Sequence, residues 1–419
     1  MKQYWRFYWP LALTGLAMVL SVQFQNATLA RYPEAVAEIA ILALAYSTYG
    51  LLNAGLQFIA QLANVYASSP IANIRSYRFT LAASITLMLP LLVVAHTELG
   101  RQLLQSIYGI DDALTARVTE YLVYLAPLIV FNAQRYYYTG LLVQAKLTGW
   151  VTAMNVVYLS VVIAALIGGF AAGGRPVFVL VGAEALGVAI HLVLLVAGRW
   201  KLYRPPVIPE HENLSYRELV GFFIPVSMTG FMFAISRPIL FAFIARTPNA
   251  LVSIAALRIA FDFSALFQQA SNQFRHFFVT FGLDDLAVKK RFMVLVCLGI
   301  TGIMLLFAAT PLSGLVWRDL MQIPDEVRML ALDVILIMCL MPTVIIYRNF
   351  FHGYLMVERR TTGMAVGAIL RVIGIYALTS LCFELQWLDH IAASWILIAG
   401  FIIEAAVAQL ATRRARPNG

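Results

Sequence analysis

The chain has 419 residues, of which 61% are hydrophobic and 12% charged, with a mean hydropathy of +0.80, whereas charged residues alone make up about a quarter of an ordinary soluble domain. Water is therefore not its main solvent, and at roughly 20 apolar residues plus a loop per crossing the length accommodates about a dozen membrane spans, with no stretch left for a soluble catalytic domain. The net charge of +9 does not point to nucleic acid, because Lys and Arg form no arm or patch but punctuate the ends of apolar runs.

In chain order, Lys2 and Arg6 precede the first apolar run. That run is long, contains Gln23, Gln25 and Asn26 and lacks a small-residue cleavage site, so it is expected to be a span and not a secretory leader. Apolar runs between charged or Pro/Gly-rich boundaries predict spans near 7–30, 35–64, 78–95, 118–143, 148–170 and 176–198. A second set follows near 216–246, 249–281, 292–316, 328–356, 361–383 and 389–411. Between the sets lies a polar, Pro-rich linker, Arg199 to Glu218. The expectation is an all-α polytopic protein of about twelve transmembrane helices, with six-helix lobes at 1–198 and 216–419 joined by a linker at 199–215. Alternate connections carry Arg75 and Arg78, Lys146, Arg199, Lys201 and Arg204, Lys289 to Arg291, Arg359 and Arg360, and Arg413, Arg414 and Arg416. By the positive-inside rule both termini are expected in the cytoplasm.

The second set repeats the first. Phe7 to Gly15 (FYWPLALTG) aligns with Phe222 to Gly230 (FFIPVSMTG), so that Pro10, Thr14 and Gly15 meet Pro225, Thr229 and Gly230. Without a gap, Leu29 to Pro33 then meets Ile244 to Pro248, and Glu38 to Tyr46 meets Ser253 to Phe261. At nearly the same offset Arg135 to Thr148 (RYYYTGLLVQAKLT) meets Arg348 to Thr361 (RNFFHGYLMVERRT). A match this long marks an internal duplication. Six spans per repeat is an even number, so the two repeats are expected to run parallel around a central cleft.

Six arginines lie inside predicted spans: Arg135, Arg237, Arg258, Arg275, Arg348 and Arg371. Facing lipid, they would together cost on the order of 15–20 kcal/mol, more than the net stability of a typical domain. They must face protein, water or substrate. The carboxylates at comparable depth are Glu184, Asp262, Asp333 and Glu404, of which Asp262, Asp333 and Glu404 are candidate coupling groups. Arg258 and Asp262 stand four apart on one helix face, which suits a structural ion pair, and Arg371 is placed to neutralise Glu404. Arg275, near the cytoplasmic end of its span, suits snorkelling or a carbonyl contact as well as a substrate role. Arg135 and Arg348 occupy equivalent repeat positions, where they either converge on one anion or anchor the same loop in each lobe. Pro238 breaks the backbone hydrogen bonding beside Arg237, and Gln23, Gln25 and Asn26 give the first span a polar face. Of Tyr136, Tyr137 and Tyr138, at most two can face one cavity.

Cys297, Cys339 and Cys382 lie in apolar stretches and suit packing better than disulfides. His191 and His352 have no second ligand at metal spacing, and no triad, P-loop or dinucleotide fingerprint is present. Neither a metal nor a cofactor is expected, and neither is enzymatic activity.

Four segments resemble the progressive ankylosis family of membrane transporters: the Pro10 to Tyr49 region, Tyr124 to Lys146, Phe222 to Arg246 with its ISRPI, and Met341 to Ile375 with its ILRVI. The resemblance implies a two-lobe fold similar to multidrug and polysaccharide exporters. It also implies export of multivalent anions, with citrate, pyrophosphate and nucleotides as candidates. Arg237, Arg348 and Arg371 coincide with arginines of the family pattern, whereas Arg135 does not. The candidate substrate-binding set is Arg135, Arg237, Arg258, Arg348, Arg371, Gln23 and Asn26. An inner-membrane, multi-pass monomer is expected, whose partners are a small anion and the lipid bilayer. The competing readings are a flippase for a lipid-linked sugar pyrophosphate, a membrane-embedded transferase and a non-transporting membrane receptor or scaffold.

Overall fold

In the computed structural model the chain is described over residues 1–14, 16–67, 69–145, 147–203, 214–272, 274–281, 283–357 and 362–413. Gly15 of the first repeat match, Lys146, Arg204, Arg359, Arg360, Thr361, Arg414, Arg416 and most of the polar linker lie outside the described residues, as do the side chains of Pro10, Pro225, Thr229 and Arg275.

The first half runs α1 (Lys2–Thr14), α2 (Leu16–Leu29), α3 (Ala35–Ala54), a 3-10 turn (Gly55–Phe58), α4 (Ile59–Tyr66), α5 (Pro70–His96), α6 (Glu98–Tyr108), α7 (Asp112–Gln144), α8 (Thr148–Ala171) and α9 (Pro176–Leu202). The second runs α10 (Tyr216–Ala234), α11 (Ser236–Ile244), α12 (Ala250–Asn272), α13 (Phe274–Phe281), α14 (Leu286–Ala309), a π-helical segment (Gly314–Leu320), α15 (Asp325–Met338), α16 (Met341–Val357), α17 (Thr362–Glu384) and α18 (His390–Arg413). Among the described residues ten stretches are long and apolar enough to cross a membrane, with α3–α4 and α15–α16 each counting as one. The pairs α1–α2 and α10–α11 complete twelve spans in two sets with matching element order.

Local chemistry explains where the helices begin and break. Ser69 accepts from the Ala72 N–H with Pro70 in the first turn, Thr97 accepts from Gly100, and Asp111 accepts from Leu114 at 2.8 Å. Ser215 and Glu218 form a reciprocal capping box at the start of α10, and each such cap satisfies donors a helix start leaves open. Pro238 has no N–H for the carbonyl four residues earlier, and α10 ends at that residue, Ala234. In the same way Pro342 follows the break between α15 and α16. The predicted starts near 78 and 118 fall short, because α5 and α7 begin at Pro70 and Asp112 and carry Arg75, Asp112 and Arg117 ahead of the apolar run. The reading for apolar runs also passes over α6, whose apolar and polar residues share eleven positions.

The chain divides into two compact units, one of Met1–Ala40 with Ile239–Gly419 and one of Ile41–Pro238. The expected lobes 1–198 and 216–419 with linker 199–215 therefore do not coincide with the units, because each first span packs with helices of the other half. In the first unit the Tyr8 hydroxyl donates to the Ala270 carbonyl at 2.8 Å, and its ring joins Phe274, Phe277, Phe278 and Phe292 in an aromatic core. In the second unit Ser227 of α10 donates to the Gly55 carbonyl at 3.1 Å, and Arg75 donates to the Leu214 carbonyl at 2.5 Å. The repeat reveals which helices are alike, not which ones pack together.

Within each unit the duplicated glycine does the same work. A Cβ on Gly140 of α7 would stand 2.3 Å from the Ala60 carbonyl oxygen of α4, and one on Gly353 of α16 would stand 2.7 Å from the Phe278 Cβ of α13. Because backbone cannot yield as a flexible side chain can, Gly140→Ala is expected to cost about 1–3 kcal/mol. Thermal unfolding in detergent checks this against Gly149→Ala, whose Cβ meets nothing within 4 Å. An unfolding midpoint for Gly140→Ala no lower than the control would show that α4 and α7 are not in this contact.

Candidate functional site

The first unit holds a charged cluster on three neighbouring helices. Gly400, one turn before Glu404 on α18, has no side chain to push α17 away: a Cβ there would stand 2.5 Å from Ile375 Cγ1 and 3.1 Å from Arg371 Cγ. The two helices can thus approach until Arg371 Nη1 lies 2.5 Å from Glu404 Oε2. From α16, Arg348 Nη1 reaches the same oxygen at 3.4 Å, and His352 Nε2 stands 3.6 Å from Glu404 Oε1. Arg348 Nη2 also donates to the Oδ1 atoms of Asn272 and Asn349, both at 3.2 Å. Asn349 is itself fixed by donating to the Ser271 carbonyl at 3.0 Å. Both guanidiniums lie over the Phe401 ring, 5.2 and 4.9 Å from its centre, which stabilises charge where water is excluded. All four ionisable side chains are buried. Among the described residues two permanent cations thus share one carboxylate, leaving a net positive charge.

A second polar group in this unit is closed and neutral. Arg258 Nε donates to Asn26 Oδ1 at 3.0 Å, and Asn26 Nδ2 donates to Asp262 Oδ2 at 3.3 Å. The i,i+4 pair Arg258–Asp262 closes at 3.7 Å. Gln23, one turn before Asn26 on α2, is buried with neither amide atom hydrogen-bonded. Asp333 on α15 does not join either group: its half-exposed carboxylate lies 3.5 Å from His390 Nε2.

In the unit 41–238 Arg135 of α7 is buried, with its guanidinium carbon 5.4 Å from the ring centres of both Tyr136 and Tyr158. Glu184 of α9 accepts from the Tyr46 hydroxyl. Tyr137 turns away and anchors α5, donating to Asn73 O at 2.8 Å and Asn73 Oδ1 at 2.9 Å. Arg237, on α11 immediately after the helix break, is half-buried.

The sequence singles out Arg348, Arg371 and Glu404, and the expected Arg371–Glu404 and Arg258–Asp262 contacts are present. It did not find Asn272, Asn349, His352 or Phe401, which complete the cluster. The signal for Asn349 and His352 was their place, one and four residues after Arg348 in the repeated segment.

The fold is shared with solved membrane transporters of low sequence identity. A multidrug resistance MATE family transporter of the MOP superfamily, in an inward-facing conformation, superposes with a TM-score of 0.75 at 11% identity, covering 96% of this chain and 94% of that one. The lipid II flippase MurJ, inward closed, gives 0.66 at 14% identity over 96% of this chain and 87% of its own. A MOP superfamily transporter from Pyrococcus furiosus, described by the reverse polarity of its binding pocket, gives 0.58 at 13% identity over 98% and 95%. Ten apolar spans among the described residues, with the helix pairs α1–α2 and α10–α11 beside them, make this a multi-pass membrane protein with the fold of those transporters. The chain belongs to the progressive ankylosis protein (ANKH) family, whose model matches residues 1–255.

Proposed function

We propose that the protein is an alternating-access exporter of a multivalent anion, with citrate, inorganic pyrophosphate and nucleotides as the candidate substrates. The observation that carries this reading is the buried surplus of guanidinium at Arg348 and Arg371 over the single carboxylate of Glu404. Guanidinium offers a planar fork that matches carboxylate and phosphate oxygens, and buried cations that share one carboxylate are stabilised by an arriving anion. Arg135 and Arg237 are further candidate contacts, with Gln23, whose amide has donors to offer. Arg258 and Asn26 have a polar partner in Asp262 already and are assigned to holding α2 against α12. A proton coupled to transport would use Asp262, Glu404 or Asp333. The distribution of Lys and Arg supports an inner-membrane location with both termini in the cytoplasm.

A lipid-linked sugar pyrophosphate is the second reading, favoured by the fold shared with a lipid II flippase. One experiment separates the two. Proteoliposomes carry the purified protein, its orientation read by labelling a cysteine placed in the 199–215 linker, which this reading puts on the cytoplasmic side. They are offered labelled citrate, pyrophosphate, nucleoside triphosphate and a lipid-linked pyrophosphate. Saturable movement of a soluble anion is expected. Movement of the lipid substrate alone would favour the flippase, and movement of none would contradict both.

A further inference from the structure

The unit 41–238 repeats the three-helix frame of the charged cluster with different chemistry at its centre. On α16, α17 and α18 the charged residues Arg348, Arg371 and Glu404 are spaced 56 residues from first to last and 33 from second to last. The same two intervals on α7, α8 and α9 fall on Arg135, Tyr158 and His191. The close approach repeats as well: a Cβ on Gly187 would stand 2.5 Å from Val162 Cγ2 and 3.1 Å from Tyr158, as one on Gly400 meets Ile375 and Arg371. Side chains follow the frame, with Arg135 5.4 Å from the Tyr158 ring centre and the Tyr158 and His191 rings 5.8 Å apart.

The frame in the first unit has a carboxylate built in. In the second, an imidazole stands at that place. His191 is 1% exposed, and neither of its ring nitrogens has a hydrogen-bond partner, a state that costs free energy unless a ligand relieves it. Among the described residues the titratable groups facing it are Arg135 from α7 and Tyr158 from α8. On its own helix Glu184, two turns earlier, accepts from the Tyr46 hydroxyl of α3.

We infer that Arg135 and His191, both packed against Tyr158, form an oxyanion site in the unit 41–238, and that a carboxylate or phosphate oxygen bound there brings a proton onto His191. This rests on the anion-transport reading and adds a site and a coupling group to it. An anion beside an imidazole favours the imidazolium, whose second N–H can then donate to the ligand. The proton comes from the aqueous phase, adds to the open ring nitrogen and returns to water when the anion leaves; no other bond is made or broken.

The test is proton uptake on binding of citrate or inorganic pyrophosphate to the full-length protein in detergent, followed with an indicator dye in weak buffer. The anion's own protonation, titrated without protein, is subtracted. The unmodified protein is expected to take up about one proton per anion, and its affinity to fall about tenfold per pH unit on the alkaline side of the imidazole's titration. His191→Gln and His191→Asn should lose that uptake and flatten the profile. His191→Glu, which installs the carboxylate of the other unit beside Arg135, should weaken binding at least about tenfold. Anion binding with no net uptake by the unmodified protein, a readout that needs no variant, would overturn the inference, as would equal uptake by the unmodified protein and the variants. Failure of the unmodified protein to bind any of these anions would contradict instead the reading on which the inference rests.

Discussion

Glu404→Gln is expected to destabilise the protein by about 3–5 kcal/mol, the range found when one partner is removed from a buried ion cluster. The carboxylate receives Arg371 at 2.5 Å and Arg348 at 3.4 Å, with His352 3.6 Å away. All of these groups are buried, so solvent screening does not reduce the effect as it does at a surface. Gln keeps the volume and one carbonyl oxygen but removes the negative charge that both guanidiniums contact. Thermal unfolding in detergent should show a lowered midpoint. Glu404→Gln combined with Arg371→Gln removes a cation too and should recover part of the loss, because the two sites are directly coupled. If Glu404→Gln unfolded at the unmodified midpoint, the carboxylate would not be holding two charges.

Much of this cluster is legible in the amino-acid sequence, and the reason is chemical. Charged residues inside apolar runs are costly enough to stand out singly, so Arg348, Arg371, Glu404, Arg258 and Asp262 are visible, and i,i+4 spacing alone pairs the last two. Asn272, Asn349 and Phe401 are not, because uncharged residues in a span carry no comparable penalty and their role depends on which helices meet. The equivalence of Tyr158 with Arg371 and of His191 with Glu404 is hidden for a related reason: the members of each pair are chemically unlike, and a self-comparison that looks for similar residues passes over them. The exchange of first spans is also out of reach, since Tyr8 finds the Ala270 carbonyl only after folding. Pro238, in contrast, announces the break after Ala234 because its missing N–H acts within one turn.

Arg348→Gln is expected to reduce anion transport on the order of 30- to 1,000-fold, corresponding to the roughly 2–4 kcal/mol lost when one member of a buried charge-paired contact is truncated. Folding and membrane insertion should survive, because the remaining Arg371–Glu404 pair is one to one and Asn349 keeps its own bond to the Ser271 carbonyl. Gln retains polar reach toward Asn272 but loses the charge and the fork. Arg348→Lys restores charge without planar bidentate geometry and should rescue transport only in part. Arg237→Gln tests the half-buried arginine beside the helix break in the same way.

Whether intramembrane arginines hold a multivalent anion during transport is decided by uptake of labelled citrate, pyrophosphate and nucleoside triphosphate into proteoliposomes containing the unmodified protein, Arg348→Gln or Arg237→Gln at matched insertion. Saturable uptake of at least one anion by the unmodified protein, with a large loss in Arg348→Gln, is the predicted result. Normal insertion of both variants, with every tested anion moving at the unmodified rate, would contradict it and make these arginines structural.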